Sequence, residues 1–413
     1  MKVALISDIH FGKFSRTEEL SVPGFQIEDE NTGAESLVDG FIKLLKNEKA
    51  DFILIAGDLT SIASPLEFHY FEEVILHIAH DAGIPIENVI CVTGNHDNDW
   101  NISKLSISSI TENMGDSHIE ILKNQYQKIA ANSASMNMTS FNNMQNGIAP
   151  FSGVFEREDM ILFAINTGWF CSPTQEYAHG KLSAEQLTWL EKELIRFQAD
   201  SRTKIFLLHH HPIKYSYPSL SEDISLIEES SELLDLAGKY GVNLILHGHR
   251  HHPRAQTIQH DDWSKPISFV CAGSLSVNAK HRSNGEIPNT AHFIDFSEAP
   301  SAFLLRTYEY SGSTGWQLLT RNRPEAPLDA EVWLGKIYQD EDVLSAIRDC
   351  LSRLDNQVTV FQYADLPDCL RFRKHDEINR LFQENVPQNY IINGLFPGRV
   401  TVIPEEAIRN ADS

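Results

Sequence analysis

The chain has 413 residues, a hydrophobic content of 42% and a net charge of −23, from 34 basic and 57 acidic side chains. That is apolar material enough for a globular core and, by length, for two domains or one large domain with an appendage. So acidic a surface repels long polyanions and disfavours non-specific nucleic-acid binding, and no apolar run reaches the roughly 18 residues of a spanning helix, so no membrane partner is expected.

Val3 to Ile6 reads as a buried strand. From Ala34 to Lys49 the spacing puts Leu37, Phe41, Leu44 and Leu45 on one helical face. Phe52 to Ala56 is a second strand, Leu66 to His80 repeats the helical spacing with Phe68, Phe71, Ile75 and Ile78, and Val89 to Val92 is a third strand. This alternation predicts a parallel sheet with helices on its faces and ligands beyond the carboxyl ends of its strands. Asn98 to Pro150 breaks the rhythm and reads as an insertion at the mouth of the site. Gly153 to Glu158 and Met160 to Asn166 suggest a hairpin, and Ser183 to Phe197 a helix opened by Ser183 and Gln186. Lys204 to Leu208, then Ser230 to Tyr240, then Val242 to Leu246 read as strand, helix and strand. Ile267 to Cys271 and His292 to Phe296 look like strands of a second sheet, extended by Phe303 to Tyr310. Beyond Arg323 the character changes: Pro324 and Pro327 punctuate the chain, Ala330 to Leu354 reads as one long helix, Val358 to Gln362 as a strand and Ile378 to Glu384 as a helix. Residues 1–323 are therefore one domain, with its insertion at about 98–150, and residues 324–413 an appendage or small domain.

Five cysteines (Cys91, Cys171, Cys271, Cys350 and Cys369) are odd in number and dispersed, which fits a reducing compartment better than a disulfide framework. Met1-Lys2 leads straight into the first strand, and cleavage of a leader there would destroy Asp8, so a cytoplasmic location is expected.

Five short motifs follow predicted strands: Asp8-Ile9-His10, Gly57-Asp58, Gly94-Asn95-His96-Asp97, His209-His210-His211 and Gly248-His249-Arg250-His251. Each alone is weak. An Asp-x-His pair is commonly a surface loop, a Gly-Asp a turn or helix cap, and a His triplet a solvated segment. Together they share one rim and supply donors for two adjacent divalent metals. Hard oxygen and imidazole donors without thiolate suit Mn²⁺, Fe or Zn²⁺. Two such cations activate a water and hold a phosphate for in-line displacement.

The ordered set resembles the calcineurin-like metallophosphoesterase superfamily, most closely the bacterial branch that includes class III cyclic-nucleotide phosphodiesterases, over roughly residues 1–300. The resemblance implies an α/β fold, a two-sheet β-sandwich flanked by helices, here with a C-terminal α/β appendage. It implies one metal on Asp8, His10, Asp58 and His251, and a second on Asp58, Asn95, His209 and His249. His96 would stabilise or protonate the leaving oxygen, with Asp97 orienting it. In the triplet, His209 is chosen as the first residue after the strand, while strand alternation would aim His211 the same way. The implied reaction is in-line attack on phosphorus by a hydroxide between the metals.

The expected substrate is a small phosphodiester such as a cyclic nucleotide. The alternatives are a nuclease acting in a complex and a phosphomonoesterase or protein phosphatase. Phe11, Phe14, Trp100, Trp169, Tyr215 and Tyr217 are candidates to stack on a base or to cover the core edge. The appendage is the candidate surface for a protein partner.

Overall fold

The computed structural model describes residues 1–33, 35–98, 152–168, 170–171, 179–215, 225–282, 285–299, 302–320, 328–371, 373, 375–394 and 398–411. The chain divides into two compact units, Met1–Glu331 and Val332–Ser413.

Two stacked sheets build the first unit. In the first, β1 (Lys2–Ile6), β2 (Phe52–Ala56) and β3 (Val89–Val92) run parallel, and β10 (Asn289–Ala299), β11 (Ala302–Ser311) and β12 (Gly315–Leu318) continue it antiparallel in the order β12-β11-β10-β1-β2-β3. The second has the order β4-β5-β6-β7-β9-β8, with β4 (Gly153–Glu156), β5 (Met160–Ala164), β6 (Thr203–Leu207), β7 (Leu244–His247), β8 (Arg254–Ile258) and β9 (Ile267–Cys271). Its central strands β5, β6, β7 and β9 are parallel.

Helices cover the outer faces. Helix α1 (Leu37–Glu48) starts where Ser36 accepts from the Asp39 amide, and α2 (Pro65–Ala82) starts at a Ser64/Glu67 capping box with Pro65 in its first turn. Their apolar stripes, among them Phe41, Leu45, Phe68, Phe71 and Ile75, pack on Ala4, Ile6, Ile53 and Ile55 of the first sheet. On the second sheet, α3 (Ala184–Arg196), capped by Ser183 and Gln186, and α4 (Ser230–Lys239) lay Leu190, Leu194 and Leu233 against Ile161, Phe163, Phe206 and Ile245. The alternate strand positions, such as Val3, Leu5, Leu54, Leu162, Ile205 and Leu246, are also buried, as strands covered on both faces require. Each fully buried Leu or Ile side chain contributes on the order of 2 kcal/mol of transfer free energy, so this double covering fixes the strand ends firmly.

Two expectations are corrected. His292–Phe296 and Phe303–Tyr310 belong to the first sheet, not the second: β10 pairs with β1 and β11 with β10. Ala330–Leu354 is not one helix. Strand Glu331–Leu334 comes first, Gly335 turns the chain at φ 103°, and the helix spans only Asp340–Leu351.

The second unit has a three-stranded antiparallel sheet, with Arg399–Pro404 between Thr359–Gln362 and Tyr390–Asn393. Helices Asp340–Leu351 and His375–Asn385 close a small core of Val343, Ile347, Leu370, Ile378, Phe382, Val400 and Val402. Among the described residues, no helix is long and apolar enough to cross a membrane. Of the expected insertion at 98–150, only Asn98 lies within the described residues.

Candidate metal centre

Asp8 and His10 follow β1, Asp58 follows β2, Asn95 to Asp97 form a short 3-10 turn after β3, His209 follows β6, and His249 and His251 follow β7. Parallel strands from both sheets thus deliver their carboxyl ends to one place. Five of these residues sit in left-handed backbone: Asp8 (φ 51°), His10 (49°), Asp58 (50°), His249 (85°) and His251 (59°). Each such residue costs on the order of 1–3 kcal/mol and persists only where its surroundings over-determine it. Here neighbouring backbone does so: the Asp8 amide donates to the Gly57 carbonyl and the His10 amide to the Asp58 carbonyl, both at 3.0 Å.

The side chains converge. Asp58 Oδ2 lies 3.5 Å from His10 Nε2 and 3.4 Å from His209 Nε2. On the His10 side, His251 Nε2 is 3.1 Å from His10 Nε2 and 3.3 Å from Asp8 Oδ1. On the His209 side, Asn95 Oδ1 is 3.1 Å from His209 Nε2 and 2.9 Å from His249 Nδ1. The far nitrogens are tied to backbone: His209 Nδ1 donates to the Ala56 carbonyl at 2.7 Å, and His251 Nδ1 to the His281 carbonyl at 2.7 Å. That fixes the tautomers and aims both Nε2 lone pairs at the cluster.

Glycines let the walls approach. A Cβ at Gly94 would meet Asp58 Oδ1 and stand 2.8 Å from His209 Nε2, and one at Gly248 would collide with Ser7 Oγ and Asp8 Oδ2.

The electrostatics favour positive charge. Burial alone would raise Asp58, but His209, His96 and His10 outweigh it and hold the carboxyl well below its ordinary range. Burial opposes a proton on His209 and His251 too, yet Asp58 raises His209 to about 9 and Asp8 raises His251. His10 and His249 are held well below 6.5 by burial, with neighbouring imidazoles adding to the effect. Asp8 Oδ1 is buried and accepts no hydrogen bond. An orphaned carboxylate oxygen among imidazoles and an amide oxygen is a donor set that fits hard or borderline divalent cations. Four groups of donors within 4.8 Å of one another fall in this cluster: Asp8, His10 and His251; His10, Asp58 and His96; Asp8, Asp58 and His209; and His209, His210 and His249.

His96 stands beside the cluster, its ring centroid 4.7 Å from that of His10, with Nδ1 3.0 Å from the Ser61 carbonyl oxygen. Asp97 differs from expectation: it does not orient His96. Its buried carboxylate accepts from the amides of Leu59 (3.1 Å), Thr60 (2.9 Å) and Gly94 (2.8 Å) and from the Thr60 hydroxyl (2.9 Å), stitching the Asp58 loop to the Asn95 turn. Burial and then the Asp58 charge push it up to about 6.

In the triplet, His209 faces Asn95 and Asp58, while His210 Nδ1 is 2.9 Å from Thr167 Oγ1 and His211 turns to Cys271. Sequence reasoning missed Ser61, whose hydroxyl donates to the His10 carbonyl at 2.7 Å and accepts from the Phe14 amide at 3.1 Å. A serine three residues past Asp58 carries no distinguishing signal. Of the aromatic candidates, Phe11 is core, Tyr215 is buried, and Phe14 lies 5.9 Å from His96, ring to ring. Trp100, Trp169 and Tyr217 lie outside the described residues.

A double sheet with acid, amide and imidazole donors gathered at its strand ends is the architecture of a metal-dependent phosphoric ester hydrolase. The chain belongs to the calcineurin-like phosphoesterase family, whose model matches residues 1–253. Over 106 residues it is 34% identical to the 3′,5′-cyclic adenosine monophosphate phosphodiesterase CpdA of Escherichia coli (strain K12), a stretch covering 25% of this chain and 35% of that protein. The chain thus spans about a third of the length of this curated relative. Among solved structures it is similar to a dimetal phosphatase from Danio rerio (10% identity, 81% of this chain and 98% of that one, TM-score 0.47). It is also similar to the purple acid phosphatase PPD1 of yellow lupin (15% identity, 83% and 55% covered, TM-score 0.45).

Proposed function

We propose that the protein hydrolyses the phosphodiester bond of small substrates, cyclic nucleotides among them, at a centre holding two divalent cations. The observation that carries this is the position of Asp58 Oδ2, between His10 Nε2 at 3.5 Å and His209 Nε2 at 3.4 Å, where one carboxylate would serve both cations. Asp8, His10, Asp58 and His251 would hold one, and Asp58, Asn95, His209 and His249 the other. When bound, the pair supplies Lewis acidity to the phosphoryl oxygens and makes water acidic enough to attack near neutral pH.

The chain's own residues do the rest. Backbone carbonyls hold His209 and His251 in the ligating tautomer. Asp97 fixes the Asp58 and Asn95 loops in one register. The Ser61 carbonyl accepts from His96 Nδ1, and with a second proton, on Nε2, the ring would donate to the equatorial charge or to the leaving oxygen. The net charge of −23 supports a small ester over a long polyanion. The partial similarity to a cyclic AMP phosphodiesterase supports a diester.

The test is incubation of metal-stripped, Mn²⁺-reloaded protein with 3′,5′-cyclic AMP, with the nucleoside monophosphate product separated by chromatography. Product formation that stops on chelation supports the reading. Turnover of the monophosphate with none of the cyclic diester would replace it with a phosphomonoesterase.

A further inference from the structure

Two adjacent parallel strands of the second sheet, β7 and β9, each end in a buried donor that the phosphoesterase centre does not use, and the loop after their neighbour β6 supplies a third. His247 is the last residue of β7 and Cys271 the last of β9, and the two are partners in the strand register. His211 lies just past β6, its backbone fixed by hydrogen bonds to Ser225 and Ile227, both 2.9 Å. All three are fully buried, and one ligating atom of each lies within 4.8 Å of the others.

We infer that His211, His247 and Cys271 form an additional, structural metal site of the zinc class, separate from the two-cation centre. The donor set is the first reason. Two imidazoles and a thiol are the borderline-soft ligands that select Zn²⁺, whereas the neighbouring centre offers oxygen and imidazole with no sulfur. Distance is the second. Zinc bonds of about 2.0 Å to nitrogen and about 2.3 Å to sulfur, at a tetrahedral angle, put those ligands roughly 3.5 Å apart. His211 Nε2 and Cys271 Sγ are 3.9 Å apart, so a few tenths of an ångström of closure would bring this pair to that spacing, and the third donor lies within 4.8 Å of both. Unmet bonding capacity is the third: His247 Nδ1 is buried and makes no hydrogen bond, a costly state in a dry interior. The Tyr215 phenol, 2.9 Å from His247 Nε2 and with its ring 5.2 Å from that of His211, closes the remaining side. Binding replaces the Cys271 S–H bond with an S–metal bond and releases that proton to solvent, while both imidazoles bind neutral. Such an ion would tie two strand ends and the loop after β6 together directly behind His209 and His249.

Cobalt(II) substitution tests it on the full chain. Protein stripped and reloaded with Co²⁺ should show a near-ultraviolet thiolate-to-cobalt charge-transfer band. Cys271→Ser, with unchanged far-ultraviolet circular dichroism, should lose that band and one metal equivalent per chain while keeping the visible bands of the oxygen-and-imidazole centre. Equal metal content in the two proteins, or a thiolate band that survives Cys271→Ser, overturns the proposal. Should that variant misfold, a mercurial thiol reagent on the unmutated, zinc-loaded protein decides: release of one equivalent supports the site, and release of none refutes it.

Discussion

The Ser61 carbonyl oxygen stands 3.0 Å from Nδ1 of His96 and holds that ring beside His10. A backbone acceptor cannot be removed by a side-chain substitution, so His96 itself is the place to test its role. His96→Ala leaves the seven proposed ligands intact. It should retain metal while turnover falls by about 10²–10⁴, the usual worth of a positioned acid or charge stabiliser. Elemental analysis beside kcat checks both halves, and unchanged turnover would remove His96 from the mechanism.

Ser61→Ala keeps that carbonyl and deletes the hydroxyl joining the His10 carbonyl to the Phe14 amide. Two hydrogen bonds at roughly 1 kcal/mol each, partly replaced by water, predict a fall in kcat of about tenfold with metal content retained. A loss confined to KM would point to the Phe14 segment instead.

Asp97→Asn exchanges a carboxylate that accepts four hydrogen bonds for an amide whose nitrogen accepts none. Facing backbone amides that stay in place, it should lower stability by about 2–4 kcal/mol. Chemical denaturation of the metal-stripped protein measures this. Stability equal to the parent would mean the loops are held elsewhere.

Glu67 gives a pH signature. Its Oε2 accepts from the amides of Ile62 and Ser64, and its Oε1 is buried without a hydrogen bond. Burial pushes the carboxyl from 4.5 up to about 7, against the pull of those two amides. The folded chain therefore binds this proton more tightly than the unfolded one. The contribution is fully present below about 4.5 and is lost as pH rises towards about 7. Glu67→Gln, uncharged throughout, should flatten that part of the Tm–pH profile and match or exceed the parent near neutrality. Parallel profiles for the two proteins would contradict the shift.

Much of the site was legible because its donors follow strands in short motifs whose glycines permit close approach. Asp8, His10, Asp58, Asn95, His209, His249 and His251 meet, and the strands before them fall within a residue or two of their expected bounds. What the sequence hid is long-range. Pairing of β10 with β1 joins Phe293 to Ala4 across most of the chain, and no local pattern encodes it. The His triplet defeats alternation because β6 ends at Leu207, so His209 and His211 lie outside the strand and turn to different partners. Asp97 sits beside His96 in sequence, yet its acceptors are satisfied by a loop almost forty residues earlier. In the second unit, Val332 and Trp333 favour a strand, and Gly335 at φ 103° ends it, where helical spacing alone ran straight through.

The central claim is that Asp58 joins two cations into a centre that cleaves phosphodiesters. Its most direct test compares hydrolysis of bis-p-nitrophenyl phosphate and p-nitrophenyl phosphate by metal-stripped protein reloaded with Mn²⁺, alongside Asp58→Asn. The account predicts metal-dependent cleavage favouring the diester, with both metal occupancy and activity lost in Asp58→Asn. Full metal content and turnover in that variant, or cleavage of the monoester alone, would contradict it.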